Sequence, residues 1–476
     1  MTTTAGQSSR FTYSLNRALD RELNAVIDTA LCLNRIVGTV TIVAHRGKLA
    51  YQRAAGFADR EARRLTQPNS IFRFASLTKP IVTVAALALV EQRKLGLDDP
   101  VSKWIPEFRP RLSDGSEPVI TIRNLLTHTS GLSYCSKEPD NGPYHQAKVS
   151  DGTDQPGLSI TENLRRLASV PLLFAPGAAF QYSLALDVLG EVLARLEKSS
   201  LPEVTANLVT EPLGMHDTGF TVRHRERLAA AYVDAVPAPT RMQDAQVVPF
   251  PPGAGIPFAP DRIFDAKSYP SGGAGMAGTA GDFLLFLETL RKGGAPLLRP
   301  ETVEAMTTNQ IGDFMIDPNL PGLGFGFGAV IVKDPVAAQT PQSSGTYAGG
   351  GVYGHDWFVD PKMELSVVAL TNTTVEGVAG VFPVQYEMRF TGPLQPDSKR
   401  AKSRSPSRLG EKRERPAYSG LVGCVNRVTK NARTAAGNSQ SGSRNPRPPD
   451  ALAFWCYGYS LTCYIPIHTK FVRNSA

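Results

Sequence analysis

The sequence predicts an α/β (α+β) protein: an antiparallel sheet drawn from both ends of the chain, flanked by helices, with a mostly helical subdomain inserted in it. Three observations carry this. Strand-like text occurs early, in Val37–Ala44 and Leu49–Gly56. It resumes only late, in Gly324–Val332, Gly351–Val359 and Leu365–Leu370. Between them, to about residue 270, the chain reads as helical patches separated by Pro/Gly-rich loops. A sheet fed by both termini therefore frames a helical subdomain at roughly 85–270, within one domain spanning residues 1–390.

The elements follow in order. Leu15–Ile36 carries Leu15, Leu19, Leu23, Val26, Ile27, Ala30 and Leu31 at helical spacing, an amphipathic opening helix. The two early strands meet across His45-Arg46-Gly47-Lys48, a hairpin connection. Ile71–Phe74 is a short extended lead-in, and Leu77–Gln92 is apolar on every side, as a buried helix must be. Ile122–Leu126, Thr161–Ala168 and Ala185–Leu196 are the helical patches of the middle, and Val236–Pro260 is a long loop. Thr279 is placed to cap a helix over Ala280–Arg291. A closing helix is expected after the last strand, and Val381–Arg389 begins one before the pattern fades at Phe390-Thr391-Gly392.

Composition and charge narrow the class. With 42% hydrophobic and 20% charged residues, the chain suits a soluble globular protein with a sizeable core. The net charge of +8 is misleading, because residues 391–476 hold 15 Lys and Arg against 4 Asp and Glu, a net +11. The first 390 residues hold 36 basic against 39 acidic side chains, a net −3, so nucleic acid is not expected as a partner of the folded domain. Asp397–Arg415 is polybasic and Asn431–Pro449 is rich in Ser, Asn, Gly, Pro and Arg, a composition that predicts a basic, disordered tail over 391–476. The break motivates reading that tail as a shifted reading frame or an extension, with a basic arm for anionic lipid or nucleic acid as the functional alternative.

Five cysteines without C-x-x-C or Cys/His spacing argue for free thiols in a reducing compartment, and against a disulfide framework or a zinc site. Met1–Arg10 is polar and lacks the apolar core of a secretory signal. Ile81–Val90 is too short to span a bilayer, and Ala451–Thr469 is broken by Gly458 and Pro466. The expectation is a cytoplasmic protein with no membrane span, metal or cofactor. Oligomeric state is not legible.

The chemistry centres on Ser76-Leu77-Thr78-Lys79, an S-x-x-K tetrapeptide. Ser76 follows extended text and opens an apolar helix, where backbone N–H groups favour a developing negative charge. Lys79 is one turn on, with its amine in reach of the serine hydroxyl. Alone, the tetrapeptide fits a helix-capping serine with a surface lysine better than a catalytic pair.

The wider pattern is more specific. Arg73–Lys79 (RFASLTK), Leu125–Leu132 (LLTHTSGL), Pro176-Gly177 with Tyr182-Ser183-Leu184, and Ser271–Met276 (SGGAGM) resemble, in order, landmarks of the class C β-lactamase-like superfamily. The resemblance runs over roughly residues 15–380 and is strongest to the family VIII carboxylesterases. It implies a β-lactamase/penicillin-binding-protein-like fold. It also implies Ser76 as nucleophile, Lys79 as its partner, Tyr182 as general base, and the backbone N–H groups of Ser76 and Val352 as an oxyanion hole. His128 is assigned a structural place. In Thr346–Trp357 the third family motif falls on Gly349-Gly350-Gly351, where relatives carry K-T-G, H-T-G or W-G-G. Gly349 thus offers neither a cation for a β-lactam carboxylate nor the tryptophan wall of esterase relatives. Leu184 replaces the amide-binding asparagine of lactamases. Leu184, Gly349, Gly350, Gly351 and His355 are the expected pocket residues.

The expected activity is hydrolysis of small or short-chain esters through a Ser76 acyl-enzyme, with a small-molecule ester as partner. The alternatives are a β-lactamase, a peptidase on D-amino-acid peptides, an acyltransferase, or a non-catalytic scaffold of the same fold. No G-x-S-x-G elbow occurs, which argues against an α/β-hydrolase.

Overall fold

The computed structural model describes residues 5–250, 253–391, 454–456 and 459–461. Its frame is one eight-stranded antiparallel sheet. The strands are β1 (Gly38–His45), β2 (Lys48–Asp59), β3 (Arg64–Leu65), β4 (Leu323–Phe325), β5 (Val330–Val332), β6 (Tyr347–Gly351), β7 (His355–Asp360) and β8 (Leu365–Thr371). They lie in the order β4-β5-β6-β7-β8-β1-β2-β3, so the two ends of the chain meet where β8 pairs with β1. The β1–β2 turn places Arg46 and Gly47 at φ +53° and +73°, the left-handed pair that a tight two-residue hairpin requires.

Alternation along the strands sorts side chains between two cores. Phe358, Val367 and Ala369 face one side, where the stripe Leu19, Leu23, Val26, Ile27 and Ala30 of α1 (Ala5–Cys32) covers them. Trp357, Val359, Val368 and Leu370 face the other, against the main core. That core is built on α2 (Thr78–Glu91), whose residues Thr78 to Leu89 are all buried, and on α3 (Ala185–Glu197). The helix α4 (Ala280–Arg291) joins the same core through Phe283, Phe286 and Leu287. Thr279 caps α4 as its sequence foretold, accepting the Asp282 N–H at 3.1 Å. Between α2 and α4, among the described residues, no strand enters the large sheet.

The closing helix α5 (Val381–Glu387) runs into a 3-10 turn over Met388–Thr391. It is short, yet Phe382, Tyr386 and Phe390 complete the core beneath α1. The Tyr386 hydroxyl donates to Asp356 on β7, and burial raises the Asp356 carboxyl to about 7. Past residue 391, Phe454–Cys456 and Tyr459–Leu461 pair antiparallel. The rest of the basic tail, including Asp397–Arg415 and Asn431–Pro449, lies outside the described residues.

Two late strands differ from expectation. Gly324–Val332 is a hairpin, turning at Gly328 with φ +77°. Gly351–Val359 is likewise split, with β6 ending at Gly351 and β7 starting at His355. Gly354 at φ +110° makes that turn, in a conformation closed to most side chains. The second turn brings β6 alongside the nucleophile segment.

Candidate active site

Ser76 owes its position to three local features. Phe72–Arg73 pairs antiparallel with Ala277–Gly278, and the Phe74 N–H donates to Met276 O at 2.8 Å. Ala75 then turns left-handed at φ +46°, an arrangement that costs about 1–2 kcal/mol for a residue with a Cβ. A 3-10 turn over Ala75–Leu77 feeds directly into α2. The Thr78 hydroxyl accepts the Met276 N–H at 3.1 Å, tying the Ser271–Met276 segment to the helix start.

Lys79 is not a surface lysine. It is 2% exposed, and its ammonium donates to Ser76 Oγ at 3.0 Å and to Gly273 O at 2.8 Å. Its Nζ lies 4.7 Å from the centre of the Tyr182 ring and 5.4 Å from that of Tyr134. Three expected residues, Ser76, Lys79 and Tyr182, therefore converge, with Tyr134 as an unforeseen fourth.

His128 packs its ring 4.5 Å from the Tyr182 ring and is fully buried. Its Nδ1 accepts the Ser183 N–H at 3.2 Å. Burial, then the charges of Lys79 and Lys137, hold its pKa well below the usual histidine range. A neutral ring so placed props Tyr182 and is not suited to collect a proton.

Asp187, in the first turn of α3, is the second residue that sequence reasoning missed. It is fully enclosed, and neither oxygen finds a hydrogen bond within normal geometry. Burial lifts its carboxyl to about 6, against the pull of Ser271, Lys79 and Arg262. Gly273 holds this group near the lysine. A Cβ there would stand 2.8 Å from Asp187 Oδ2, 3.4 Å from Tyr134 Oη and 3.5 Å from Lys79 Nζ.

A carboxyl raised in this way binds its proton more tightly folded than unfolded, so it costs stability as pH rises from about 4 to about 6. Asp187→Asn removes that titration. The melting temperature of the variant relative to wild type is expected to be higher at pH 7.5 than at pH 4.5. Esterase activity is expected to fall about 10-fold or more, because the buried charge beside Lys79 is gone. A pH-independent difference in melting temperature would count against the assignment.

Two cavities open on Ser76. The first encloses about 780 Å³ including its mouth, and is walled by Phe180, Ile316, Phe325, Trp357 and Val378. The second encloses about 540 Å³ and is lined by Tyr134, Thr153, Phe250 and Ile256. Val352 borders both, as Ser76 does, and its carbonyl is fixed by the Thr374 hydroxyl at 2.8 Å.

The expected pocket residues divide. Gly349 and Gly350 line the first cavity. Leu184 does not: it is fully buried at the start of α3, inside the main core. Gly351 does not line either cavity, because its missing side chain lets β6 press onto the backbone at Phe74. His355 is also no pocket wall. It is buried, its Nε2 bonds to Arg73 O at 2.6 Å, and burial lowers its pKa to about 4. The aromatic wall expected to be absent at Gly349 comes instead from Trp357, its partner across β6 and β7. A Cβ at Gly349 would lie 3.0 Å from the Trp357 ring. Among the described residues, no group of three or more His, Cys, Asp or Glu side chains is placed to hold a metal ion.

A half-buried serine paired with a buried lysine at the head of a core helix, flanked by tyrosines and by a strand of a two-ended antiparallel sheet, defines a serine hydrolase of the penicillin-recognising type. The Beta-lactamase family model matches residues 23–382, and the chain belongs to that family. It is 49% identical over 380 residues to Esterase EstB of Burkholderia gladioli, covering 79% of this chain and 96% of that protein. The solved structure of EstCE1, described as a hydrolase with promiscuous acyltransferase activity, superposes with a TM-score of 0.77 at 44% identity. That match covers 79% of this chain and 99% of EstCE1. Simvastatin synthase (LovD) from Aspergillus terreus shares the fold, with a TM-score of 0.60 at 22% identity over 78% of this chain and 97% of its own.

Proposed function

We propose that this protein is a serine carboxylesterase acting on small or short-chain esters through an acyl-enzyme on Ser76. The observation that carries the reading is the Lys79 ammonium on Ser76 Oγ at 3.0 Å, at the junction of two cavities. The 49% identity to an esterase over most of the chain supports the ester as substrate. Tyr182, as phenolate beside Lys79, takes the Ser76 proton while Oγ attacks the carbonyl carbon. The N–H groups of Ser76 and Val352 receive the oxyanion. Collapse breaks the C–O bond, and the alcohol leaves with the proton returned by Tyr182. Water, deprotonated by the same tyrosine, then releases the acid.

Gly349, which lines the first cavity, favours esters over β-lactams, since it supplies no cation for a lactam carboxylate. A net charge of −3 over the first 390 residues sets nucleic acid aside as a partner. No helix among the described residues is long and apolar enough to cross a membrane. Free Cys32 and Cys135 support a cytoplasmic setting.

A fluorophosphonate probe tests the nucleophile. Wild type is expected to gain the probe's mass on the peptide holding Ser76, and Ser76→Ala to gain none. Assays on p-nitrophenyl butyrate and nitrocefin then separate the chemistries. Nitrocefin turnover without ester hydrolysis would overturn the esterase reading.

A further inference from the structure

The side chains lining the first cavity that can donate a hydrogen bond are those of Ser76, Lys137, Gln181, Tyr182 and Trp357. Ser76 belongs to the reaction. Lys137 and Tyr182 have partners within the protein, and Gln181 Nε2 donates to Tyr182 O at 3.4 Å. Trp357 is different. It is 2% exposed, and its ring meets those of Phe283 and Tyr347 edge-on, with centres 5.7 and 6.5 Å apart. Among the described residues its indole Nε1 has no acceptor, and it is not sealed in the core but opens on the cavity.

Gly349, the partner of Trp357 across β6 and β7, decides which part of the indole is bare. A Cβ at Gly349 would lie 3.0 Å from Cζ2 and 3.1 Å from Cε2 and Nε1. Those atoms form the edge that carries the N–H, so any side chain at 349 would cover it. Glycine leaves it open. A buried indole N–H ordinarily finds an acceptor, because an unpaired donor forfeits the bond it makes to water. Phe180, Ile316, Phe325 and Val378 offer none, so an acceptor brought in by a substrate is drawn to the indole. Gly349 lies two residues, about 7 Å, from Gly351, whose neighbour Val352 is the proposed oxyanion donor. An acyl chain with a carbonyl on its fourth carbon, plus a hydrogen bond of about 2.9 Å, spans that distance.

We propose that the Trp357 indole N–H selects esters of oxo acids, whose acyl chain carries a second carbonyl near its fourth carbon, by donating to that oxygen in the first cavity. This rests on the Ser76 acyl-enzyme reading and names its substrate class. The acyl part is assigned to the first cavity because Ser136, Asp151 and Thr153 line the second, a polar setting that suits the departing alcohol. No new covalent step is involved, and the reaction remains ester hydrolysis.

The test compares p-nitrophenyl 4-oxopentanoate with p-nitrophenyl 4-methylpentanoate, in which a methyl group stands for the ketone oxygen. Both are assayed on wild type, Trp357→Phe and Gly349→Ala. Phenylalanine keeps an aromatic wall without the N–H, and alanine keeps the indole but covers its N–H edge. In each variant the ratio of kcat/KM, oxo ester over methyl ester, is expected to fall about fivefold or more, chiefly through KM. In Ser76→Ala, which cannot form the acyl-enzyme, the oxo ester should move the Trp357 indole N–H proton resonance downfield and the methyl ester should not. That resonance is assigned by its loss in Trp357→Phe, or by its shift in Gly349→Ala should the first variant fail to fold. A ratio unchanged in the variants, or a resonance that ignores the oxo ester, overturns the proposal while leaving the esterase intact. Absence of turnover on both esters in wild type would instead overturn the esterase reading, and this inference with it.

Discussion

Lys79→Met is expected to lower kcat/KM on p-nitrophenyl butyrate by about a thousandfold or more, while the protein still folds. Methionine fills the path of the lysine stem, so packing along α2 is preserved. What is lost is the ammonium, and it serves three groups. It donates to Ser76 Oγ at 3.0 Å and to Gly273 O at 2.8 Å, and it lies 4.7 Å from the Tyr182 ring centre. Without it the proposed base Tyr182 loses that cation, whose charge favours the phenolate needed to take the Ser76 proton. Asp187 also loses a counter-charge, so its carboxyl should titrate above its present value of about 6. Steady-state kinetics with a melting curve on the same sample check this. Retention of activity within tenfold of wild type would show that the lysine is structural.

The parts of this arrangement that sequence made visible share a physical reason: they rest on local periodicity. The opening helix, the buried helix behind Ser76, the helix over Ala280–Arg291 and the β1–β2 hairpin each write their geometry into a contiguous run. The Ser76–Lys79 pair is local in the same sense, one helical turn apart. Gly-rich text is not legible this way. Thr346–Trp357 carries four glycines, whose missing side chains erase the alternation that marks a strand and hide the turn between β6 and β7. In sequence, the motif position of Leu184 and the strand position of His355 place both at the pocket. Their burial depends on α3 and on the strand–nucleophile contact, which no run of residues encodes.

Asp187, Tyr134, Lys137 and Trp357 enter the site through tertiary contact alone. Only Asp187 left a trace in the sequence, as a carboxylate within the apolar run Leu184–Gly190 at the start of α3. A charge there has to be either exposed or put to use, and the structure shows it enclosed. Trp357 alternates inward on β7 like any core residue. That it serves as the cavity wall follows from the glycine opposite, which is visible only once the register Gly349↔Trp357 is known.

The register of β6 leads to the second large effect, expected for Gly351→Ala. A Cβ at Gly351 would lie 2.3 Å from the Phe74 carbonyl oxygen, 3.0 Å from Leu77 Cδ1 and 3.1 Å from His355 Cδ2. The first of these is backbone of the nucleophile segment, so no rotamer change relieves it. Moreover, that segment is already latched to β7 by His355 Nε2 on Arg73 O at 2.6 Å. One methyl group must therefore push β6 away from the segment that carries Ser76. The cost is that of an overpacked core, about 1–3 kcal/mol, read as a melting temperature lower by several degrees. The larger consequence is chemical. Val352 follows Gly351 directly, and a shift approaching 1 Å separates the two proposed oxyanion donors, for a loss in kcat of about 100-fold. Gly219→Ala is the matched control, because a Cβ there meets nothing within 4 Å and the residue has no positive φ. If Gly351→Ala kept wild-type kcat and melting temperature, then the close approach of β6 to the nucleophile segment would not be what sets the oxyanion geometry.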